Sequence, residues 1–199
     1  MTHPFAAHVA GLARALPGRG TAGKRLGPST DFIPHVFLAW DAQGGRIEVE
    51  DLDTEGALLD LRIRTGGEPA WFSLGIGLGT GALQEGDVLV VALAIRSEAE
   101  LSLPMFLRAR PAGGKALDTP LADPLEPRPD TGHALVLHRI GQHDQGPKMQ
   151  GYHSLNLRLP ARDMRLTLRG LSCSVLPAIL GVQTRQPDMA DAFAGSPPA

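Results

Sequence analysis

From about residue 35 to residue 176, apolar side chains recur at every second position, and no helical period competes with that spacing. In Ala57–Thr65, Leu59, Leu61 and Ile63 share one face while Leu58, Asp60, Arg62 and Arg64 share the other. Successive side chains of a strand point to opposite faces, so this pattern buries one face of a sheet and wets the other. Arg46–Asp51 alternates in the same way. Asp87–Ser97 is nearly all apolar, which predicts a strand in the middle of a sheet. His35–Trp40, Trp71–Leu78, Leu101–Arg110, His133–Ile140, Tyr152–Leu159 and Met164–Leu176 are further strand candidates, with Pro104 marking an edge or a bulge. About nine strands separated by turn residues predict an all-β, antiparallel sandwich or barrel. Two polar segments interrupt them: residues 111–131, read as a long loop, and Gly141–Gly151.

The first thirty residues follow another rule. Phe5, Val9, Leu12 and Leu16 form one helical stripe, which Pro17-Gly18 ends. The glycine-rich stretch that follows has the composition of a flexible linker. Arg14, Arg19, Lys24 and Arg25 all precede the first acidic residue, Asp31. The division expected is a helical arm with a basic linker over 1–30, a sandwich over 31–180 and a disordered tail over 181–199. Four charges are weak attraction for a membrane, nucleic acid or acidic partner, so the preferred reading docks the helix on its own domain or oligomer.

Composition narrows the function classes. The chain has 199 residues, 43% hydrophobic and 20% charged, a globular balance. A formal net charge of −2 argues against a nucleic-acid partner, since phosphate neutralisation needs a basic surplus. Cys173 is the only cysteine, so no intrachain disulfide and no cysteine-built zinc site is expected. The longest apolar run, Val88–Ile95, is far short of the ~20 residues that span a bilayer. His8 and Arg14 break any signal-peptide core, which predicts cytoplasmic synthesis, with incorporation into a particle or release left open. Arginine far outnumbers lysine, a balance that suggests a GC-rich bacterial or bacteriophage gene.

Catalytic patterns fail at named positions. Gly75-Ile76-Gly77-Leu78-Gly79-Thr80-Gly81 is not a phosphate loop: the sixth position is Thr80 or Ala82 where glycine is required, and no Gly-Lys-Ser/Thr follows. A strand whose alternate glycines allow close packing or a bulge is the expectation instead. Asp51-Leu52-Asp53-Thr54-Glu55-Gly56 opens like a calcium loop, but Arg62 stands where the bidentate glutamate belongs. Asp41–Asp60 holds seven acids against Arg46 and reads as an electronegative surface. His133, His138, His143 and His153 could supply zinc ligands, although 133 and 138 fall on opposite faces of an unbroken strand. No Gly-x-Ser-x-Gly elbow is present, nothing pairs two carboxylates, and Cys173 among apolar neighbours reads as a buried, inert thiol. Sugars stack on flat rings; Trp71 and Tyr152 sit at strand ends where they could line a rim, as does Trp40, with core packing the plainer account of each.

Four passages resemble the galactose-binding-like jelly rolls of many carbohydrate-binding modules. Ala70–Leu78 is similar to an early core strand, and Leu83-Gln84-Glu85-Gly86-Asp87 before Val88–Ser97 to a leucine, turn, glycine-aspartate and long apolar strand. Tyr152–Pro160 resembles a late strand closed by proline, and Met164–Leu176 the last strand. The resemblance spans about residues 35–177. It implies a jelly-roll-like β-sandwich, sugar binding, and in some members a structural calcium ion; with the helical stripe, the fold expected is an antiparallel jelly-roll-like β-sandwich with a short N-terminal helical arm. A fold hosts many functions, so the site must decide.

The expected function is a non-catalytic glycan-binding or attachment module whose partner is a glycan or cell-surface polysaccharide. Loops 111–131 and 141–151 would carry the contacts, through Trp71, His143, Asp144 and Tyr152. No catalytic residue, metal ligand or cofactor is assigned, apart from the calcium ion that the resemblance allows. One alternative is a structural subunit of a bacteriophage-like particle (head spike, capsid or tail component), docking or oligomerising through residues 1–30. The other is a metal-dependent enzyme built on His133, His138, His143 and His153.

Overall fold

The computed structural model describes residues 2–21, 23–129 and 132–178; the tail expected over 181–199 lies outside them. The alternating segments form strands. Those of sheet A are β1 (Arg25–Leu26), β4 (Gly45–Asp51), β5 (Leu59–Gly67), β7 (Val88–Ser97), β10 (Ala134–Arg139) and β12 (Met164–Leu176). Those of sheet B are β2 (Thr30–Ile33), β3 (Val36–Trp40), β6 (Phe72–Gly81), β8 (Met105–Pro111), β9 (Leu117–Pro120) and β11 (Gly151–Arg158). Sheet A runs β1-β4-β5-β12-β7-β10 and sheet B runs β2-β3-β6-β11-β8-β9.

The chain crosses between the sheets at each step from β5 to β8 and again from β9 to β12. The last two strands enter the middle of each sheet, β11 between β6 and β8, β12 between β5 and β7, all antiparallel. This is the jelly-roll-like sandwich that the resemblance implied, and one of the two all-β forms that the alternation allowed. Leu59, Leu61 and Ile63 of β5 and Leu74, Ile76 and Leu78 of β6 are buried in one hydrophobic core between the sheets. Full burial of each such side chain is worth about 1.5–3 kcal/mol.

Several expectations change. The run 111–131 is not all loop: Leu117–Pro120 pairs with β8, and Leu103 bridges Leu125. β8 is therefore interior rather than an edge, and Pro104 sits before the strand, where its carbonyl accepts from Arg158 N at 2.8 Å. The short strands β1, β2 and β9 carry too few alternating apolar residues to announce themselves.

The N-terminal stripe is part of the core. Helix α1 (Pro4–Ala15) begins with proline in its first turn, and His3 Nδ1 accepts from Phe5 N at 3.2 Å. Phe5, Val9, Leu12 and Leu16 are all buried, and α1 packs on β12 and β6. The apolar face that would have docked to a particle neighbour is spent on this chain's own sandwich.

The basic segment after it is tied to the sandwich by hydrogen bonds. Arg19 donates from Nε and Nη2 to both carboxylate oxygens of Asp51, at 2.6 and 2.5 Å, and from Nη1 to Leu16 O at 3.0 Å. Thr21 Oγ1 adds a bond to Asp51 at 3.2 Å, and β1 pairs with β4 beside it. Asp51 is fully buried, so its oxygens are not free for an ion.

Asp60 is the second buried carboxylate. It accepts from Arg165 Nε and Nη2 at 2.9 and 2.7 Å, from Thr167 at 3.2 Å, and from Thr54. Burial pushes its pKa up, but the hydrogen bonds from Arg165 and Thr54 outweigh that and hold it below the usual carboxylate range. The stretch expected as an acidic surface thus sends Asp51 and Asp60 inward.

Candidate functional site

The glycine run of β6 shapes the outer face of sheet B. Phe72, Leu74, Ile76 and Leu78 point into the core, so Ser73, Gly75 and Gly77 face outward. Register places Asp31, Phe37, Gly75, Asn156, Phe106 and Pro120 side by side across all six strands. A Cβ on Gly75 would clash with the tip of the Phe37 ring, and one on Gly77 would meet Tyr152 Oη. The missing side chains leave room for the Phe37 ring and the Tyr152 hydroxyl over the strand. Farther along, the β6–β11 register shifts between His153 and Ser154, and Gly79 takes φ +103°. Close packing and a bulge are the two uses expected of the glycines.

Gly77 leaves the least room. Its added Cβ would also lie 3.0 Å from the backbone oxygen of His35, which accepts from Gly77 N at 2.7 Å and cannot retreat cheaply. Gly77→Ala is expected to cost about 1–3 kcal/mol, the usual range for overpacking. Chemical denaturation measures this, and a loss below about 0.5 kcal/mol would show that the rings move aside freely.

An open groove of about 590 Å³ runs over this face. Phe37, Trp71 and Phe106 contribute rings, and Asp31, Arg108, Arg110, Asp118 and Arg158 contribute charge. Trp71 is 46% exposed at the head of β6, where its carbonyl accepts from Asp41 N at 3.0 Å. Beneath the groove Asn156 and Ser154 are buried, with Asn156 Nδ2 donating to Ser154 O at 3.2 Å and Oγ at 3.1 Å. Arg108 lies 5.3 Å from the Phe106 ring centre and donates two bonds to Asp118, each 2.7 Å. That pairing pushes its pKa up despite partial burial. Arg110 and Arg158 are exposed and, among the described residues, form no ion pair.

The predicted contacts divide. Trp71 lines the groove. Tyr152 sits beside it on β11, its ring centre 4.9 Å from that of His35 and tilted 38° to it, with a buried hydroxyl that has no hydrogen-bond partner among the described residues. Burial pushes the phenol up to about 12, with the Arg110 charge opposing. His143 and Asp144 do not line the groove. They precede a single helical turn, α2 (Gln145–Lys148), and Asp144 accepts from Gly141 N at 2.8 Å. The groove lies on a sheet; of the two loops expected to carry contacts, residues 111–131 contribute Asp118 to its lining and 141–151 contribute none.

The four histidines do not converge. His153 is buried on sheet B, 5.2 Å from the Phe5 ring, with its nitrogens 3.0 and 3.4 Å from the Gly151 and Gly146 carbonyls. Burial lowers its pKa, with those carbonyls opposing. His138 stands on β10 of sheet A, with Nε2 3.3 Å from Asp144 Oδ2 but not aligned for a hydrogen bond. Among the described residues no group of three or more His, Cys, Asp or Glu side chains is placed to hold a metal ion. The metal-enzyme alternative therefore loses its proposed ligand set. Cys173 is buried, and desolvation pushes its thiol up to about 12, matching the inert thiol expected.

Phe37, Phe106, Arg108, Arg110 and Arg158 were not anticipated. A signal existed: Phe37 alternates with buried Val36 and Leu38, and Phe106, Arg108 and Arg110 with buried Met105, Leu107 and Ala109. Large side chains on the outward register of apolar strands mark a decorated face. Which strands lie next to each other is a property of the fold.

No family model matches the chain, and no curated protein matches it by sequence. Solved structures similar to it include several carbohydrate-binding modules. One is the family 11 module from Clostridium thermocellum in complex with a β-1,3-1,4-mixed-linked tetrasaccharide, 7% identical at a TM-score of 0.45, covering 77% of this chain and 95% of that one. Another is the CBM22-1 xylan-binding domain from Paenibacillus barcinonensis, 13% identical at 0.43, covering 77% and 99%. A third is the N-terminal cellulose-binding domain of a β-1,4-glucanase from Cellulomonas fimi, 10% identical at 0.44, covering 76% and 97%.

Proposed function

We propose that this chain is a non-catalytic glycan-binding module that holds a sugar chain in the groove on sheet B. The observation that carries the reading is the combination of Trp71, Phe37 and Phe106 with polar forks in one open groove. Rings accept the apolar faces of sugars, while a few placed polar groups read hydroxyls and fix orientation. An open trough suits a polymer that continues past both ends. Glycoside hydrolysis needs two carboxyl groups about 5–9.5 Å apart across a bond. Here Asp118 is held in a two-bond pair with Arg108, which leaves Asp31 as the carboxylate not engaged by a groove cation.

Trp71→Ala tests the reading. A half-exposed anchor ring truncated to alanine is expected to cost about 2 kcal/mol of binding, roughly thirtyfold in affinity. The thermal midpoint should barely move, since the ring contributes little to the core. A glycan array followed by titration of the best ligand measures both. Silence across neutral and acidic glycans, or undiminished binding by the variant, would overturn the assignment.

A further inference from the structure

We infer that the groove is built for a polysaccharide carrying carboxylates, a uronate-containing chain; this rests on the glycan-binding reading above. The groove holds three arginines against two aspartates, one net positive charge on a chain whose formal net charge is −2. Arg108 is already satisfied by Asp118. Arg110 and Arg158 are exposed, and neither forms an ion pair among the described residues. Their placement is regular. Arg110 lies opposite Tyr152, and Arg158 stands six positions farther along the same strand. At the strand rise this is roughly 20 Å. Phe106 lies opposite Asn156, between them, so a stacking ring is flanked at both ends by an uncommitted cation. That spacing suits a linear chain bearing more than one acid group.

The side-chain type favours carboxylate over other anions. A guanidinium offers a planar fork that matches a carboxylate with two parallel bonds, whereas hydroxyls of a neutral sugar accept singly and without charge. A charge-assisted contact of this kind is worth about tenfold or more in affinity.

Calorimetric titration of the full chain with polygalacturonate, a neutral mixed-linkage β-glucan and dextran sulfate tests the inference. Polygalacturonate is expected to bind about a hundredfold more tightly than the glucan, about tenfold for each of the two arginines, and less so as salt rises. Arg110→Gln and Arg158→Gln should each lower the uronate-to-glucan ratio about tenfold. Arg64→Gln, on the outer face of β5 in the other sheet, should leave it unchanged. Glucan binding as tight as uronate binding overturns the inference and spares the glycan-binding reading. So does an equal loss in Arg64→Gln, or dextran sulfate matching the uronate polymer, because either means that charge alone is being read. Binding of none of the three overturns the inference and, with a silent array, the parent reading too.

Discussion

Asp51→Ala is expected to destabilise the domain by about 3–5 kcal/mol, the cost of leaving one partner of a buried ion pair behind. The Arg19 and Asp51 side chains are 1% and 0% exposed, so neither charge can recover water without local unfolding. Truncating Asp51 leaves the Arg19 guanidinium in the interior with the Leu16 carbonyl as its remaining acceptor. It also frees the segment between α1 and β1 that the pair ties to β4. Replacing both partners, as Arg19→Met with Asp51→Leu, should recover much of the loss, because two apolar groups of similar volume need no compensation. Urea denaturation of the two variants measures the difference. A loss under about 1 kcal/mol for Asp51→Ala would show that the pair behaves as a solvated surface bridge.

The second large effect is on the helix. Phe5→Ala removes a fully buried ring that packs on His153 and lies over Gly81, and is expected to cost about 3–5 kcal/mol. Had residues 1–30 formed a detached arm for a neighbouring subunit, the same substitution would change oligomeric state and leave monomer stability within about 0.5 kcal/mol. Denaturation combined with light scattering separates the two results. A stable, unchanged domain with altered assembly would return the helix to a docking role.

Both effects are absent from local sequence pattern. Arg19 and Asp51 lie 32 positions apart, one in a glycine-rich stretch, the other opening an apparent calcium loop. Each reads as a surface charge until β1 and β4 pair. The helix was legible as a helix, because four residues at helical spacing fix a stripe, but a stripe does not say what it covers. The glycine run shows the opposite case. Its failure to match phosphate loops was readable residue by residue, and its use as a close-packed strand followed from the missing Cβ atoms. Only the register of β3 and β11 showed that Phe37 and Tyr152 fill those positions.

The sequence by itself determined that this is an all-β domain of alternating strands with a buried thiol and an amphipathic N-terminal helix, and left sandwich or barrel open until the resemblance was added. It could do so because a period of two or of 3.6 is a local property, fixed by where each side chain points from its own backbone. The site was decided by the tertiary structure. Trp71 and Tyr152 were in sight as rings at strand ends, but Phe37, Phe106, Arg110 and Arg158 become neighbours only when β11 enters sheet B between β6 and β8. Long-range strand order converts an alternation of large and small outward residues into a groove, and no short window of sequence contains that order.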